Sequence, residues 1–199
     1  LLAAWGLYLG LLVAPTDAQQ GEVYRVIFIH VPTAWMSMFL YFIMACYCGL
    51  SLVFNTRLSA MMARAIAPTG ALMTFLALWT GAFWGRPTWG TYWVWDARLT
   101  SELVLLFLYF GYRAAALLAL IGVVNLPIIY FSVQWWNTLH QGSSVSFKGT
   151  SMHVTMLTGM LVMSASAWMY AIGATLVRVR SVILERERRT AWVRSLGAA

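Results

Sequence analysis

The chain has 199 residues, of which 61% are hydrophobic and only 10% are charged, and its mean hydropathy is +0.74. A soluble domain carries about 25% charged residues, so this composition excludes an ordinary soluble protein and indicates an integral membrane protein. Its continuous apolar runs, without strict alternation, favour helices over a barrel. The formal net charge of +7 comes from arginines between apolar runs and in the C-terminal tail, which fits membrane orientation and not nucleic-acid binding.

Six apolar segments follow one another along the chain. They cover residues 1–14, 31–54, 68–84, 101–112, 114–131 and 152–177. The first is short for a span, which needs about 20 residues, and no initiator Met precedes it. We therefore expect residues to be missing before Leu1. The predicted fold is an all-α polytopic transmembrane helix bundle, with residues 1–199 forming one domain.

The fourth and fifth segments leave two readings open. Either residues 101–131 form a single kinked helix, or a cytoplasmic loop is missing near Tyr112 and Arg113, because a helix hairpin needs about 2–5 connecting residues. The charge pattern favours the missing loop, since a single span would put the basic tail outside the membrane. On that reading the bundle has six spans.

Lys and Arg side chains divide unequally between the two faces if the spans alternate. Nine lie on one side and four on the other, and the richer side is expected to be cytoplasmic. The outer segments are then residues 15–30, residues 85–100 and residues 132–151, and residues 178–199 form a basic cytoplasmic tail. That tail is either an interfacial helix or a solvated basic end.

All three histidines lie near the outer face. His30 ends the first outer segment, His140 lies in the third, and His153 opens the last span. An interfacial histidine is commonly a hydrogen-bonded surface residue, but imidazole is also a usual axial ligand of haem iron. Two imidazoles from separate outer segments could hold one iron from opposite faces.

The stretch WGRPTWGTYWVWDARLT (84–100) places four tryptophans within twelve positions: Trp84, Trp89, Trp93 and Trp95. Interfacial belts explain isolated tryptophans, but this crowding favours a platform for a flat apolar ligand. Asp96 and Arg98 follow. Asp96 is either a solvated charge at a helix N-terminus or part of the site, and Arg98 is a candidate partner for ligand carboxylates.

The same stretch resembles the tryptophan-rich WWD signature of haem-handling membrane proteins. The flanking stretches VYRVIFIHVPTAWMSM, IGVVNLPIIYFSVQWWNTLHQGS and APTDAQQG narrow the resemblance to the CcmC family, haem exporter protein C of the system I cytochrome c maturation pathway. The resemblance covers residues 14–150. It implies six spans, with His30 and His140 as axial ligands of haem b. The haem platform maps onto Trp84, Trp89, Trp93, Trp95 and Asp96.

The resemblance also implies a biological setting. Family members bind haem at the outer face and deliver it to a periplasmic haem chaperone, CcmE. They work beside the ABC-transporter subunits CcmA and CcmB and the small membrane subunit CcmD. The implied location is the bacterial inner membrane, with a mitochondrial inner membrane as the alternative. The implied role is delivery and not conventional enzyme catalysis, and His153 falls outside the ligand pair.

Two other classes of protein remain as alternatives. A b-type electron-transfer cytochrome would bury its ligand histidines within the spans, and a solute channel would bind no haem. The spans show no row of polar residues from one face to the other, which argues against a polar path across the membrane.

Overall fold

The computed structural model describes residues 1–112, 116–136, 138–140, 145–146 and 149–196. The described chain is a bundle of helices, which confirms the predicted all-α membrane architecture. Its helices are α1 (Leu2–Tyr8), α2 (Ile27–Phe54), α3 (Arg57–Trp89), α4 (Ala97–Gly111), α5 (Ala116–Ile121), α6 (Asn125–Trp135), α7 (Val154–Arg186) and α8 (Ala191–Leu196).

Short irregular segments extend or join these helices. A π-helical turn, Leu9–Val13, continues α1, and a 3-10 turn, Glu22–Val26, leads into α2. A second 3-10 turn, Gly122–Val124, joins α5 to α6. The strands β1 (Val145–Ser146) and β2 (Gly149–Thr150) form a small antiparallel pair before α7.

Among the described residues, four helical segments are long and apolar enough to cross a membrane. They are Glu22–Phe54, Arg57–Trp89, Ala116–Trp135 and Val154–Arg186. The segment Leu2–Val13 is apolar but shorter, and α4 has 15 residues. The six predicted spans therefore correspond to four full-length segments and two shorter ones.

The helices α4 and α6 run antiparallel to each other. The Asn125 side-chain amide donates a hydrogen bond to the Ser101 carbonyl at 2.8 Å, and the Arg98 guanidinium donates to the Ile129 carbonyl at 3.2 Å. Later residues of α6 thus meet earlier residues of α4. The reading of this region as one kinked helix is wrong, and the chain forms a helical hairpin.

Helix α4 ends at Gly111 and α5 begins at Ala116. The expected missing loop would fall between them, and residues 113–115 lie outside the described part of the chain.

The core lies where α2 and α3 pack against α4, with α7 and α5 on the flanks. Met36, Tyr41 and Met44 of α2 are almost completely buried there, together with Leu105 and Tyr109 of α4. Large side chains from both helices therefore fill the space between α2 and α4, and Gly70 of α3 allows close approach of the Tyr109 ring.

A buried polar group lies in the middle of this core. The Glu102 carboxylate accepts a hydrogen bond from the Ser37 hydroxyl at 2.7 Å, and the Tyr109 hydroxyl donates to the Ser37 carbonyl at 2.6 Å. Further along the bundle the Arg178 guanidinium donates to the Thr69 hydroxyl. These side chains reach one another across helices that are distant in sequence, and the expectation that no polar path crosses the membrane stays a prediction.

Replacement of Gly70 by Ala should destabilise the bundle, because a Cβ at this position would collide with the Tyr109 ring. Overpacking of this kind costs about 1–3 kcal/mol of the free energy of unfolding. The measurement is the thermal unfolding midpoint of the purified protein in detergent. Gly173 is the matched control, since it is also helical and a Cβ there meets no atom within 4 Å. Equal midpoints for the Gly70→Ala and Gly173→Ala variants would contradict the packing argument.

Candidate functional site

The tryptophan-rich segment begins inside a helix. Helix α3 continues to Trp89 and ends at Gly90, whose φ of +80° is the left-handed conformation that closes many helices. The non-helical part of the predicted outer segment 85–100 is therefore only residues 90–96. Pro87 lies in the last turn of α3 and does not end the helix.

His30 lies in the first turn of α2 and is fixed against α3. Its Nδ1 is 3.0 Å from the Ala77 carbonyl and 3.1 Å from the Thr80 hydroxyl. A carbonyl oxygen can only accept, so Nδ1 carries the proton and Nε2 keeps its lone pair. Gly81 makes room for the ring, since a Cβ there would lie 3.0 Å from Cε1 of His30. This arrangement is that of a metal-ligating imidazole held by a second partner.

Trp84 connects this histidine to the first outer segment. Its indole meets the His30 ring edge to face, with the ring centroids 5.5 Å apart and the planes at 78°. The indole Nε1 donates a hydrogen bond to the Gln20 side-chain oxygen at 2.8 Å. The sequence does not predict this role of Gln20, because one glutamine in a polar loop gives no signal of its contact.

His140 lies beside Trp89 and Asp96. The ring centroids of His140 and Trp89 are 4.8 Å apart, and His140 Nδ1 is 3.7 Å from the Asp96 Oδ2 atom. This last distance suits an ion pair but is too long for a hydrogen bond. The structure thus brings each predicted ligand histidine against one of the tryptophans at the end of α3.

The two groups in this contact influence each other's protonation. Burial lowers the pKa of the His140 imidazole, and the nearby Asp96 carboxylate offsets only part of this effect. Burial raises the pKa of Asp96, but the His140 ring and the Leu99 backbone N–H outweigh it and hold the pKa below its ordinary value. A neutral imidazole beside an ionised carboxylate is the pairing that favours metal ligation through the other ring nitrogen.

Asp96 also begins the next helix. It is the N-cap of α4, and its Oδ1 accepts a hydrogen bond from the Leu99 backbone N–H at 2.8 Å. The helix-terminus reading of this residue is therefore confirmed, and the same carboxylate still faces His140 through its second oxygen.

Arg98 is largely enclosed between α4 and α6. Its guanidinium reaches the Ile129 carbonyl, and its charge acts on both His30 and His140. A guanidinium has five N–H donors, and this one spends a single described hydrogen bond on the protein. Arg98 therefore has further N–H donors that no described hydrogen bond occupies.

Trp93 and Trp95 form a second aromatic pair. Their centroids are 5.3 Å apart with an interplanar angle of 76°, so the rings meet edge to face and not as one flat surface. Trp95 is 75% exposed, whereas Trp93 is half-buried. Trp95 thus offers an open indole face to a ligand or partner.

Several buried polar atoms at this end of the bundle have no partner. In the part of the chain that the structure describes, five buried side-chain atoms make no hydrogen bond, and four of them are Trp93 Nε1, Asp96 Oδ2, Thr138 Oγ1 and His140 Nδ1. Unsatisfied buried groups are costly and rare in native proteins, and here they gather beside the predicted ligand histidine. Thr138 was missed by sequence reasoning because nothing in its neighbours marks it.

His153 lies apart from this group. It is exposed and is the N-cap of α7, where its Nδ1 accepts a hydrogen bond from the Thr155 backbone N–H at 3.2 Å. This is a structural role, as expected for the third histidine.

The described side chains do not build an ordinary protein metal site. Among the described residues, no group of three or more His, Cys, Asp or Glu side chains could hold a metal ion. A haem iron is different, since its porphyrin leaves only axial positions for protein ligands, and two imidazoles suffice. Fold and site together define a helical membrane protein that carries two histidines, each in contact with a tryptophan, at one end.

Comparison with known proteins gives the family. The family model described as Heme exporter protein C, CcmC, matches residues 1–194. The chain belongs to this family, and its role is the handling of haem in cytochrome c biogenesis.

Individual relatives agree with this assignment. Heme exporter protein C of Escherichia coli strain K12 is 48% identical over 92% of this chain and 80% of its own length. The Haemophilus influenzae protein of the same name is 43% identical over 98% of this chain and 86% of its own length. A putative cytochrome c biosynthesis ccmC-like mitochondrial protein of Marchantia polymorpha is 46% identical over 92% and 84%.

The relatives also carry residues that have no counterpart here. The alignment with the Escherichia coli protein spans 202 positions, which is more than the 199 residues of this chain. This surplus agrees with the expectation that a segment is missing within the chain, and the position near Tyr112 stays a prediction.

Substitutions of Asp96 should separate its two contacts. Asp96→Ala should lower the free energy of unfolding of the haem-free protein by about 1 kcal/mol, because the N-cap of α4 is lost. Asp96→Asn should keep most of that stability, since asparagine caps as well as aspartate. Thermal unfolding in detergent measures both. If Asp96→Asn loses as much as Asp96→Ala, the charge facing His140, and not the cap, supplies the stability.

Proposed function

We propose that this protein binds haem b at the outer face of the membrane and delivers it to a periplasmic haem chaperone. The observation that carries the proposal is the pair His30 and His140. The Nδ1 atom of His30 is hydrogen-bonded to the Ala77 carbonyl, the Nδ1 atom of His140 lies 3.7 Å from the Asp96 carboxylate, and each ring lies beside a tryptophan. Haem handling is the role of the family, and this pair supports haem binding at the histidine end of the bundle.

The two imidazoles would serve as axial ligands through Nε2. Haem, when bound, supplies the iron chemistry, and the chain supplies position and orientation. The Ala77 carbonyl fixes the His30 ring, and Asp96 faces the Nδ1 side of His140. Such outer partners set which nitrogen meets the metal and raise its basicity.

The tryptophans would enclose the macrocycle and exclude water from it. Trp84 and Trp89 stand against the two histidines, and Trp93 with the exposed Trp95 extends the aromatic surface outward. Indole rings offer large apolar faces, and the unpartnered Nε1 of Trp93 can donate to a polar edge.

Arg98 would meet the haem propionates. Its charge lies within reach of both histidines, and a planar guanidinium matches a carboxylate through two parallel hydrogen bonds. The nearby Asp96 and Glu102 carboxylates offset part of the positive charge of Arg98 and so limit how tightly the site would hold the anionic propionates. Limited affinity suits haem, which has to leave the site.

Transfer of haem would involve several partner proteins. The chaperone that receives the haem is CcmE, and the components that work beside this protein are CcmA, CcmB and CcmD. The membrane is the bacterial inner membrane, or the inner membrane of mitochondria. Family relatives named from bacteria and from a plant mitochondrion are consistent with either. The exposed Trp95 at the histidine end supports transfer at this face. The protein acts by positioning haem and not as a conventional enzyme.

Loss of either ligand histidine tests the haem site. His30→Ala and His140→Ala should each abolish the bis-histidine absorption spectrum of haem in the purified protein, because one axial ligand is then missing. The same variants should fail to load the periplasmic chaperone in a reconstituted transfer assay with covalent haem attachment as the readout.

His153→Ala is the matched control, since this histidine lies in the same end of the bundle but caps α7. It should retain both the spectrum and the transfer. Retention of the bis-histidine spectrum in both His30→Ala and His140→Ala would refute the assignment. Spectra that persist with rapid reversible reduction by a quinol would instead favour an electron-transfer cytochrome.

A second substitution tests the propionate contact. Arg98→Gln should weaken binding of haem by about tenfold or more, because a charged hydrogen bond is worth about 1.5–3 kcal/mol. It should leave the affinity for haem dimethyl ester unchanged, since this analogue has no carboxylates. Spectrophotometric titration measures both ligands. An equal loss for haem and its ester would show that Arg98 acts through packing against α6.

A further inference from the structure

A cleft rich in arginine lies at the end of the bundle opposite the histidines. It has a volume of about 370 Å³, within the range of about 300–1,000 Å³ that ligand pockets occupy. Arg64 of α3 forms one wall. The other wall comes from the last turn of α7 and the residues after it, namely Glu185, Arg186, Arg188 and Arg189. Helix α3 and the end of α7, which are distant in sequence, therefore both place positively charged side chains around this cleft.

Most of this charge is not neutralised by the protein. The Arg64 guanidinium lies 3.4 Å from the Glu185 carboxylate, an ion pair that joins α3 to α7. Arg186, Arg188 and Arg189 are exposed, and no described carboxylate lies within 4 Å of them. The lining thus carries four positive charges against one negative charge, which suits an anion with more than one oxygen.

The cleft also lies at a boundary between apolar and polar surface. Met61 of α3 packs against Val182 of α7 in a small apolar cluster. Both residues lie within one helical turn of a residue that lines the cleft. The preceding part of α7 exposes Ile172, Leu176 and Val177, which in a membrane lie against acyl chains. A ligand with a phosphate group and a long apolar tail matches both surfaces.

We propose that this arginine cleft binds the headgroup of an anionic phospholipid from the inner leaflet. Basic pockets between helices at the cytoplasmic end of membrane proteins are suited to such headgroups, and guanidinium groups pair with phosphate oxygens through two hydrogen bonds. Orientation in the membrane explains why arginines lie at this end. It does not explain why those of α3 and α7 converge on one space, where the one lining carboxylate, Glu185, pairs with Arg64.

The bound lipid would fasten α7 to α3 at the arginine end. The headgroup would contact Arg64 on one wall of the cleft and Arg186 and Arg189 on the other. The protein should therefore be more stable with the lipid than without it, because a ligand that binds only the folded state stabilises that state. The inference does not depend on haem binding and concerns the haem-free protein.

The test compares two double variants of the purified full chain in detergent. Arg186→Gln/Arg189→Gln removes two charges from the cleft. Arg180→Gln/Arg194→Gln removes two exposed charges from the same region that do not line it. The additives are phosphatidylglycerol, phosphatidylcholine and inorganic phosphate. Thermal unfolding gives the shift in midpoint, and native mass spectrometry counts retained phospholipids.

Phosphatidylglycerol should raise the midpoint of the unmutated protein by about 5 °C at saturation, and phosphatidylcholine and inorganic phosphate should not. The shift and the retained lipid should persist in Arg180→Gln/Arg194→Gln and be lost in Arg186→Gln/Arg189→Gln. In the unmutated protein the shift should shrink as salt concentration rises. This last measurement keeps the test valid if the cleft variant folds poorly.

Four results would overturn the proposal. Equal phosphatidylglycerol shifts in the two double variants would mean that the whole basic end attracts lipid without a site. An equal shift with inorganic phosphate would identify a free-phosphate site, and an equal shift with phosphatidylcholine would exclude recognition of charge. A shift in the unmutated protein that does not change with salt would exclude ion pairing with the headgroup.

Discussion

The long antiparallel contact between α2 and α3 is the constraint on which the rest of the structure depends. At its histidine end, the bond between His30 Nδ1 and the Ala77 carbonyl aligns the two helices. In its middle, Gly70 of α3 admits the Tyr109 ring, whose hydroxyl donates to the Ser37 carbonyl of α2. A membrane offers no water to satisfy such groups, so the helices satisfy one another. The position of α4, and with it that of Asp96 and Arg98, follows from this contact.

The site is built differently from the core beneath it. In the core, Glu102, Ser37 and Tyr109 are joined by short hydrogen bonds. At the histidine end, Trp93, Asp96 and His140 each keep a buried polar atom for which the described part of the chain provides no hydrogen-bond partner. Leaving such atoms unpaired costs stability, and a protein tolerates this cost where a ligand completes the set. A site that is complete only with its cargo is consistent with transient holding of haem.

The sequence was sufficient to predict the helical membrane fold, because hydropathy reports directly on it. The haem-site residues stay a prediction, although the structure brings His30 against Trp84 and His140 against Trp89. The sequence was less informative about helix ends. Residues 85–100 were expected to form an outer segment, yet α3 continues to Trp89, and Gly85 packs closely against the Trp89 ring. The pairing of Glu102 with Ser37 was not predictable, since it joins residues 65 positions apart through tertiary packing alone.

The length of α3 supports a proposed site at the edge of the hydrocarbon. Its 33 residues extend about 50 Å at 1.5 Å per residue, whereas the hydrocarbon core is about 30 Å thick. The surplus would carry Trp84 and Trp89 beyond the apolar layer at one end and Arg64 toward the headgroups at the other. Indole rings positioned beyond the apolar layer can receive a flat apolar molecule from the membrane and release it toward water. A site buried at mid-span would have to open the bundle, and the α2–α3 contact, with His30 bonded across it, resists that opening.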